Sequence, residues 1–144
     1  MQSISESIHI EAPVEEVWEI LSDLDSWREW NPFIREADGV VAEGERLRLK
    51  MFPAEGRPMT FTPKVLSATP REELRWLGRL GFPGVFDGEH AFHLSAQDGG
   101  TLVTQVEEFR GVLVPLLKKM LQNTRDDFRR LNEALKERAE TRAG

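Results

Sequence analysis

The end of the chain most constrains what the rest can fold into. From about Leu113, the residues Leu116, Leu117, Met120, Leu121, Thr124, Phe128, Leu131 and Leu135 recur at helical spacing. That pattern predicts one amphipathic helix of roughly seven turns at ~3.6 residues each. Between Phe33 and Arg110 the apolar residues recur instead with a period near two, punctuated by turn residues. A helix with one apolar stripe and a sheet with one apolar face must bury these against each other. A single helix cannot cover a wide flat sheet, so the sheet must curl around it. A space enclosed between sheet and helix is therefore expected.

The elements ahead of the helix follow from local chemistry. SISESIHIEA alternates Ile4, Ile8 and Ile10 with polar residues, as a half-buried strand does. Pro13 stands where a helix begins, and Val14, Val17, Trp18 and Leu21 share one face of it. DLDSWREW predicts a second short helix that stops at Asn31-Pro32, because proline disfavours the α region for the residue before it. ERLRLKMF is the clearest strand, with Leu47, Leu49 and Met51 inward and Arg46, Arg48 and Lys50 outward. MTFTPKVLSA reads as one long strand with an edge or bulge at Pro63. ELRWLGRL follows it, and VFDGEHAFHLSA and TLVTQVEEFRG flank QDGG. The expectation is α+β: a curved seven-stranded antiparallel sheet around a long C-terminal helix, with two short helices after the first strand.

Composition narrows the class. A chain of 144 residues with no internal repeat or linker fits one domain, residues 1–144. The net charge of −6 argues against a nucleic-acid partner, since nothing offsets phosphate repulsion. With no cysteine, the chain can hold neither disulfides nor thiolate metal sites. His90 and His93 point to opposite faces of one strand, and no HExxH pattern occurs, so no metal site and no cofactor are expected. MQSISESIHIEAP has neither a basic n-region nor an apolar h-region, and no apolar run could span a bilayer. A cytoplasmic location without stable membrane insertion is the expectation. Composition does not distinguish a monomer from a homodimer.

One strand poses a chemical question. In DGEHAFHL, His90 falls in step with Phe86, Phe92 and Leu94, which should face the interior. If Asp98-Gly99 form a two-residue type I′ turn, Leu94 faces Val103, Phe92 faces Gln105, His90 faces Glu107 and Gly88 faces Phe109. An imidazole and a carboxylate would then be cross-strand neighbours on the inner face, with Cβ atoms ~5 Å apart. Such a pair can satisfy itself structurally, orient a ligand, or act as acid and base.

Several motifs carry a family resemblance. IEAPVEEVWEILSDLDSWREWNPF (Ile10 to Phe33), the pair GEHAFHL and TQVEEFRG, and GVLVPLL (Gly111 to Leu117) resemble the START/Bet v 1-like superfamily, in its polyketide cyclase/dehydrase-like branch. The resemblance spans nearly the whole chain. It implies a helix-grip fold with a deep, largely apolar cavity between sheet and long helix, without naming a ligand.

The expected function is therefore binding of an apolar small molecule, whether lipid, aromatic or polyketide-like. Candidate lining residues are Trp30, Phe33, Met51, Phe61, Trp76, Phe86, Phe92, Gln105, Phe109, Leu116 and Met120. The alternative is a cyclase or dehydratase with His90 and Glu107 as the catalytic pair. A protein-interaction module of co-chaperone type ranks third, because no exposed apolar stripe is legible beyond those the fold consumes. Arg125, Arg129 and Arg130, interleaved with Asp126, Asp127 and Glu133, read as a solvated helix face with pairs such as Asp126 to Arg130.

Overall fold

A computed structural model describes residues 2–80 and 82–143. Strand β1 (Gln2–Ile10) leads into helix α1 (Val14–Ser22), a 3-10 turn (Leu24–Ser26) and helix α2 (Trp27–Trp30). Seven strands follow: β2 (Ile34–Asp38), β3 (Arg48–Met51), β4 (Met59–Phe61), β5 (Lys64–Thr69), β6 (Glu73–Leu80), β7 (Phe86–Gln97) and β8 (Gly100–Arg110). A second 3-10 turn (Val114–Leu116) precedes helix α3 (Lys118–Ala143). This is the expected α+β order, with a large antiparallel sheet and a long C-terminal helix.

Among the described residues the strand count differs from expectation: eight strands in place of seven, arranged as a five-stranded sheet β1-β8-β7-β6-β5 and a three-stranded sheet β2-β3-β4. The cause is Pro63. It has no N–H to give a ladder, so the long strand read through it divides into β4 and β5. The two sheets remain stitched at that point. Leu47 N–H donates to Pro63 O at 2.9 Å, Val65 N–H donates to Glu45 O at 2.8 Å, and Arg46 bridges Lys64. Inward Leu47 and Leu49 are buried, as the alternation predicts, while Arg46 and Arg48 are exposed.

Helix α3 begins later than its spacing suggests. Gly111 has φ +126°, and a Cβ there would collide with Val85 O, so the chain turns sharply after β8. Val112 N–H and Leu113 N–H then bond to Gly84 O and Val85 O of the β6–β7 loop. The next residues form the separate 3-10 turn, and the helical phase restarts at Lys118. Two lining assignments fail as a result: Leu116 is 78% exposed and Met120 is 40% exposed, and neither is part of the buried stripe. With Phe82 and Val112, which are also exposed, they give this end of the molecule an apolar surface that the helical spacing did not reveal.

Beyond that point α3 buries Leu121, Phe128, Leu131, Leu135 and Ala139. Each large apolar side chain so buried contributes ~1.5–3 kcal/mol, against ~0.2–0.5 kcal/mol for a helical ion pair. The apolar stripe therefore holds the helix, and the charges set where along the sheet it sits. Arg125 and Arg129 reach Glu6 of β1 at 3.9 and 3.2 Å, and Lys136 donates to His9 O at 3.2 Å. In the first half of the helix the pairs are i,i+3, Asp126 with Arg129 and Asp127 with Arg130, in place of Asp126 with Arg130; farther on, Lys136 pairs with Glu140 at i,i+4. Asp127 is buried, not solvated, because it also accepts from Ala54 N–H at 3.1 Å in the β3–β4 loop.

The outer face of the larger sheet carries a charge network around Arg75, which donates to Glu89 at 2.5 Å and to Glu73 at 3.1 Å. The guanidinium holds the Glu73 carboxyl below its ordinary value. A depressed folded value means that this carboxylate stabilises the fold above its unfolded pKa. The contribution disappears as the pH falls through the folded value. Arg75→Met is expected to return Glu73 to the ordinary range and shift the acid-unfolding midpoint upward, as read by circular dichroism. An unchanged midpoint would show that solvent screening has already reduced the network to nothing.

Candidate functional site

The hairpin of β7 and β8 builds the site. Asp98 and Gly99 have φ 50° and 78°, as a type I′ turn requires, and Gln97 faces Gly100. The ladder then pairs Leu94 with Val103, Phe92 with Gln105, His90 with Glu107 and Gly88 with Phe109, as the turn chemistry predicts. On the other side, β6 sets Trp76 directly opposite His90. Period two therefore puts Trp76, His90 and Glu107 in one row across three strands, facing α3.

His90 is 2% exposed, and its Nδ1 lies 3.0 Å from Glu107 Oε1. An ionised carboxylate only accepts, so the Nδ1–H donates, and in the neutral ring Nε2 is left as a lone-pair acceptor. The ring stacks on Trp76 with centroids 4.8 Å apart and 13° between planes. Phe92 and Phe128 close in at 4.7 and 4.8 Å, and Phe128 comes from α3. The imidazole is thus held in a nest of aromatic rings between sheet and helix. Among the described residues its Nε2 has no hydrogen-bond partner.

Next to it lies a polar latch. Gln105, fully buried on β8, donates through Nε2 to Phe128 O at 3.0 Å and to Asn132 Oδ1 at 2.7 Å. Asn132 in turn donates to Glu6 O at 3.2 Å, so β8, α3 and β1 are joined at one level. Gln105 Oε1 has no partner among the described residues. No sequence pattern announced Asn132: a lone asparagine at an inward position of a helix has no local signature.

The other expected lining residues divide by position. Phe33 is buried against Phe128 at 6.1 Å, and Phe86 packs on Phe109 at 5.6 Å nearer the open end of the hairpin. Trp30 is half-buried, edge-on to Trp27 at 6.0 Å. Met51 and Phe61 are half-buried on the smaller sheet, and Phe61 covers Gly78, where an added Cβ would come within 3.3 Å of its ring. Trp27 is completely buried and meets both Trp76 and Phe92 at 6.4 Å, so it borders the cluster around His90. Asn31 caps locally: its Oδ1 accepts from Phe33 N–H and Ile34 N–H. Two shallow clefts of about 390 and 310 Å³ open on the outside, beside the β7–β8 turn and beside His93, and His90 lines neither.

Glycine at 88 is part of the pair's geometry. A Cβ there would fall on Glu107 Oε2. Gly88→Ala is expected to push the carboxylate off His90 and lower stability by about 1 kcal/mol. The check is chemical denaturation alongside Gly88→Ala in a Glu107→Ala background. A loss of the same size in both would mean that the methyl group acts elsewhere.

Among the described residues, no three histidine, aspartate or glutamate side chains are grouped to hold a metal ion, and no helix is long and apolar enough to cross a membrane. No curated protein matches the chain. Solved structures do match its fold. TTHA0849 from Thermus thermophilus has a TM-score of 0.78 at 19% identity, covering 99% of this chain and 100% of the other. A START superfamily protein from Mycobacterium smegmatis has a TM-score of 0.73 at 22% identity, covering 96% and 97%. DynU16, from the dynemicin biosynthetic locus, has a TM-score of 0.73 at 17% identity, covering 99% of this chain and 49% of that one. The family described as polyketide cyclase / dehydrase and lipid transport matches residues 1–140. With a match over nearly its full length, the chain belongs to that family, and it shares its helix-grip fold with the START superfamily protein.

Proposed function

We propose that the protein binds a small, largely apolar molecule between the sheet and α3, with the His90–Glu107 pair as its polar anchor. The observation that carries this reading is His90 Nε2, a buried imidazole nitrogen with no protein partner, surrounded by aromatic rings from β6, β7 and α3. A nest built only for packing would be filled more favourably by an apolar ring, since a buried polar atom without a hydrogen bond costs ~1–3 kcal/mol. The rings already touch His90, so a ligand must part them, and one of them, Phe128, is carried by α3. Exposed Phe82, Val112, Leu116 and Met120 mark the end of the helix where entry costs least burial. Native mass spectrometry of protein purified from its own host should show a co-purified small molecule that is lost on denaturation. Bare protein that also takes up no apolar probe would refute the reading.

A second reading rests on the 3.0 Å Nδ1–Oε1 bond itself. Glu107 fixes the tautomer that leaves Nε2 as a base, the arrangement needed to take a proton from an acidic C–H of a folded polyketide-like substrate. In a cyclase or dehydratase of this kind His90 is the catalytic residue and Glu107 positions it. Turnover of a candidate substrate that survives His90→Ala and Glu107→Ala undiminished would remove this alternative.

A further inference from the structure

One corner of the molecule carries apolar surface and positive charge together. Phe82 and Val112 are 82% and 74% exposed, Leu116 is exposed in the following 3-10 turn, and Met120 is exposed in the first turn of α3. The two chain segments that carry them are bonded to each other. Val112 N–H donates to Gly84 O at 3.0 Å, Leu113 N–H donates to Val85 O at 3.1 Å, and Val85 N–H closes the turn back onto Phe82 O at 3.2 Å. Large apolar side chains scattered singly over a surface are ordinary, but a group of them on one corner marks a face that meets something apolar.

The charge around them has one sign. Lys118 and Lys119 are exposed between Leu116 and Met120, and neither enters an ion pair among the described residues. The segment Gly111 to Arg125 holds no acidic residue, although the chain as a whole has net charge −6. The nearest carboxylates, Asp87 and Glu108 on the hairpin, are engaged by Arg79 and Arg110. Two lysines in the first turn of a long helix also oppose its dipole, so they weaken the helix that carries them. Neither feature serves the fold, and both suit one kind of partner.

We propose that this corner is a docking surface for an anionic lipid bilayer. The protein lies on the bilayer reversibly, with Phe82, Val112, Leu116 and Met120 at the headgroup boundary and Lys118 and Lys119 against lipid phosphate. The proposal does not depend on what lies against His90. Area and charge select the bilayer over a protein. Four side chains expose only a few hundred Å², below the ~800 Å² that each partner gives to a stable protein interface. They project from a loop, a 3-10 turn and a helix start, and a fluid bilayer accepts such a set without shape complementarity. A second copy docked here about a two-fold axis would gather the lysines of both chains on one interface with no free carboxylate between them.

Co-sedimentation of the intact protein with vesicles tests the proposal. Phosphatidylcholine vesicles mixed with phosphatidylglycerol are expected to retain the protein, pure phosphatidylcholine to retain far less, and added salt to release it. Lys118→Ala with Lys119→Ala should weaken partitioning about 25-fold, roughly fivefold for each charge. Its thermal stability should be unchanged or raised, because the clash with the helix dipole is relieved. Phe82→Ser with Leu116→Ser should weaken partitioning about tenfold or more at unchanged charge. Arg28→Ala with Arg71→Ala, at exposed positions on α2 and in the β5–β6 turn, changes the net charge equally and should leave binding within about twofold. An equal loss in that control, or binding indifferent to Phe82 and Leu116, would overturn the docking surface in favour of diffuse charge attraction. No retention on either vesicle would also overturn it and leave an acidic protein as the occupant. A dimer in sedimentation equilibrium that Phe82→Ser with Leu116→Ser splits would reassign the face to a second copy.

Discussion

Replacing Trp27 by alanine is expected to remove about 3–5 kcal/mol of unfolding free energy, a larger loss than truncating any other ring of the nest. Trp27 has no exposed surface and touches Trp30, Trp76 and Phe92 at once, so it joins α2 to β6 and β7. Its neighbours are rings on regular elements and cannot collapse into the vacated volume, which is the condition under which truncation costs most. Urea denaturation followed by circular dichroism should show a lower midpoint with an unchanged slope, and a melting temperature lower by about 10 °C. Trp27→Phe keeps one six-membered ring and loses the rest of the indole with its N–H, so its loss should be smaller. If both variants lose the same amount, the loss does not follow the volume removed and the packing argument fails.

How far the sequence could be read depended on whether each determinant was local. The β7–β8 register was legible because two residues, Asp98 and Gly99, fix a turn of known length, and every facing pair follows by counting. That is why His90 and Glu107 could be placed together from the sequence. Trp76 opposite His90 was not legible, because the residues between β6 and β7 carry no turn motif of defined length from which to count. Pro63 signalled an irregularity, but a break and a bulge use the same missing N–H, and only the partner strand decides between them. Helical spacing located the buried stripe only where packing holds the phase. Phe128, Leu131 and Leu135 are buried, whereas Leu116 and Met120 precede or open the restarted helix and are exposed. Asp127 looked like surface because its charge is local, while the backbone N–H of Ala54 that makes its burial tolerable lies 73 residues away.

A double-mutant cycle on the central pair should give the second largest effect. His90→Leu leaves the Glu107 carboxylate without the N–H that it accepts, in a setting where breaking a fully buried pair costs ~3–5 kcal/mol. Glu107 keeps 18% of its side chain exposed, so water recovers part of this, and about 2–3 kcal/mol is the expected loss. His90→Leu combined with Glu107→Leu removes the charge together with its partner and should recover most of the loss, because two apolar residues can replace a bonded pair at little net cost. Strictly additive losses would mean that the 3.0 Å contact carries no energy. The cycle also bears on why the pair exists. A double variant as stable as the parent that no longer retains small molecules places the selective value of His90 and Glu107 in binding, since stability alone would have been served by leucine at both positions.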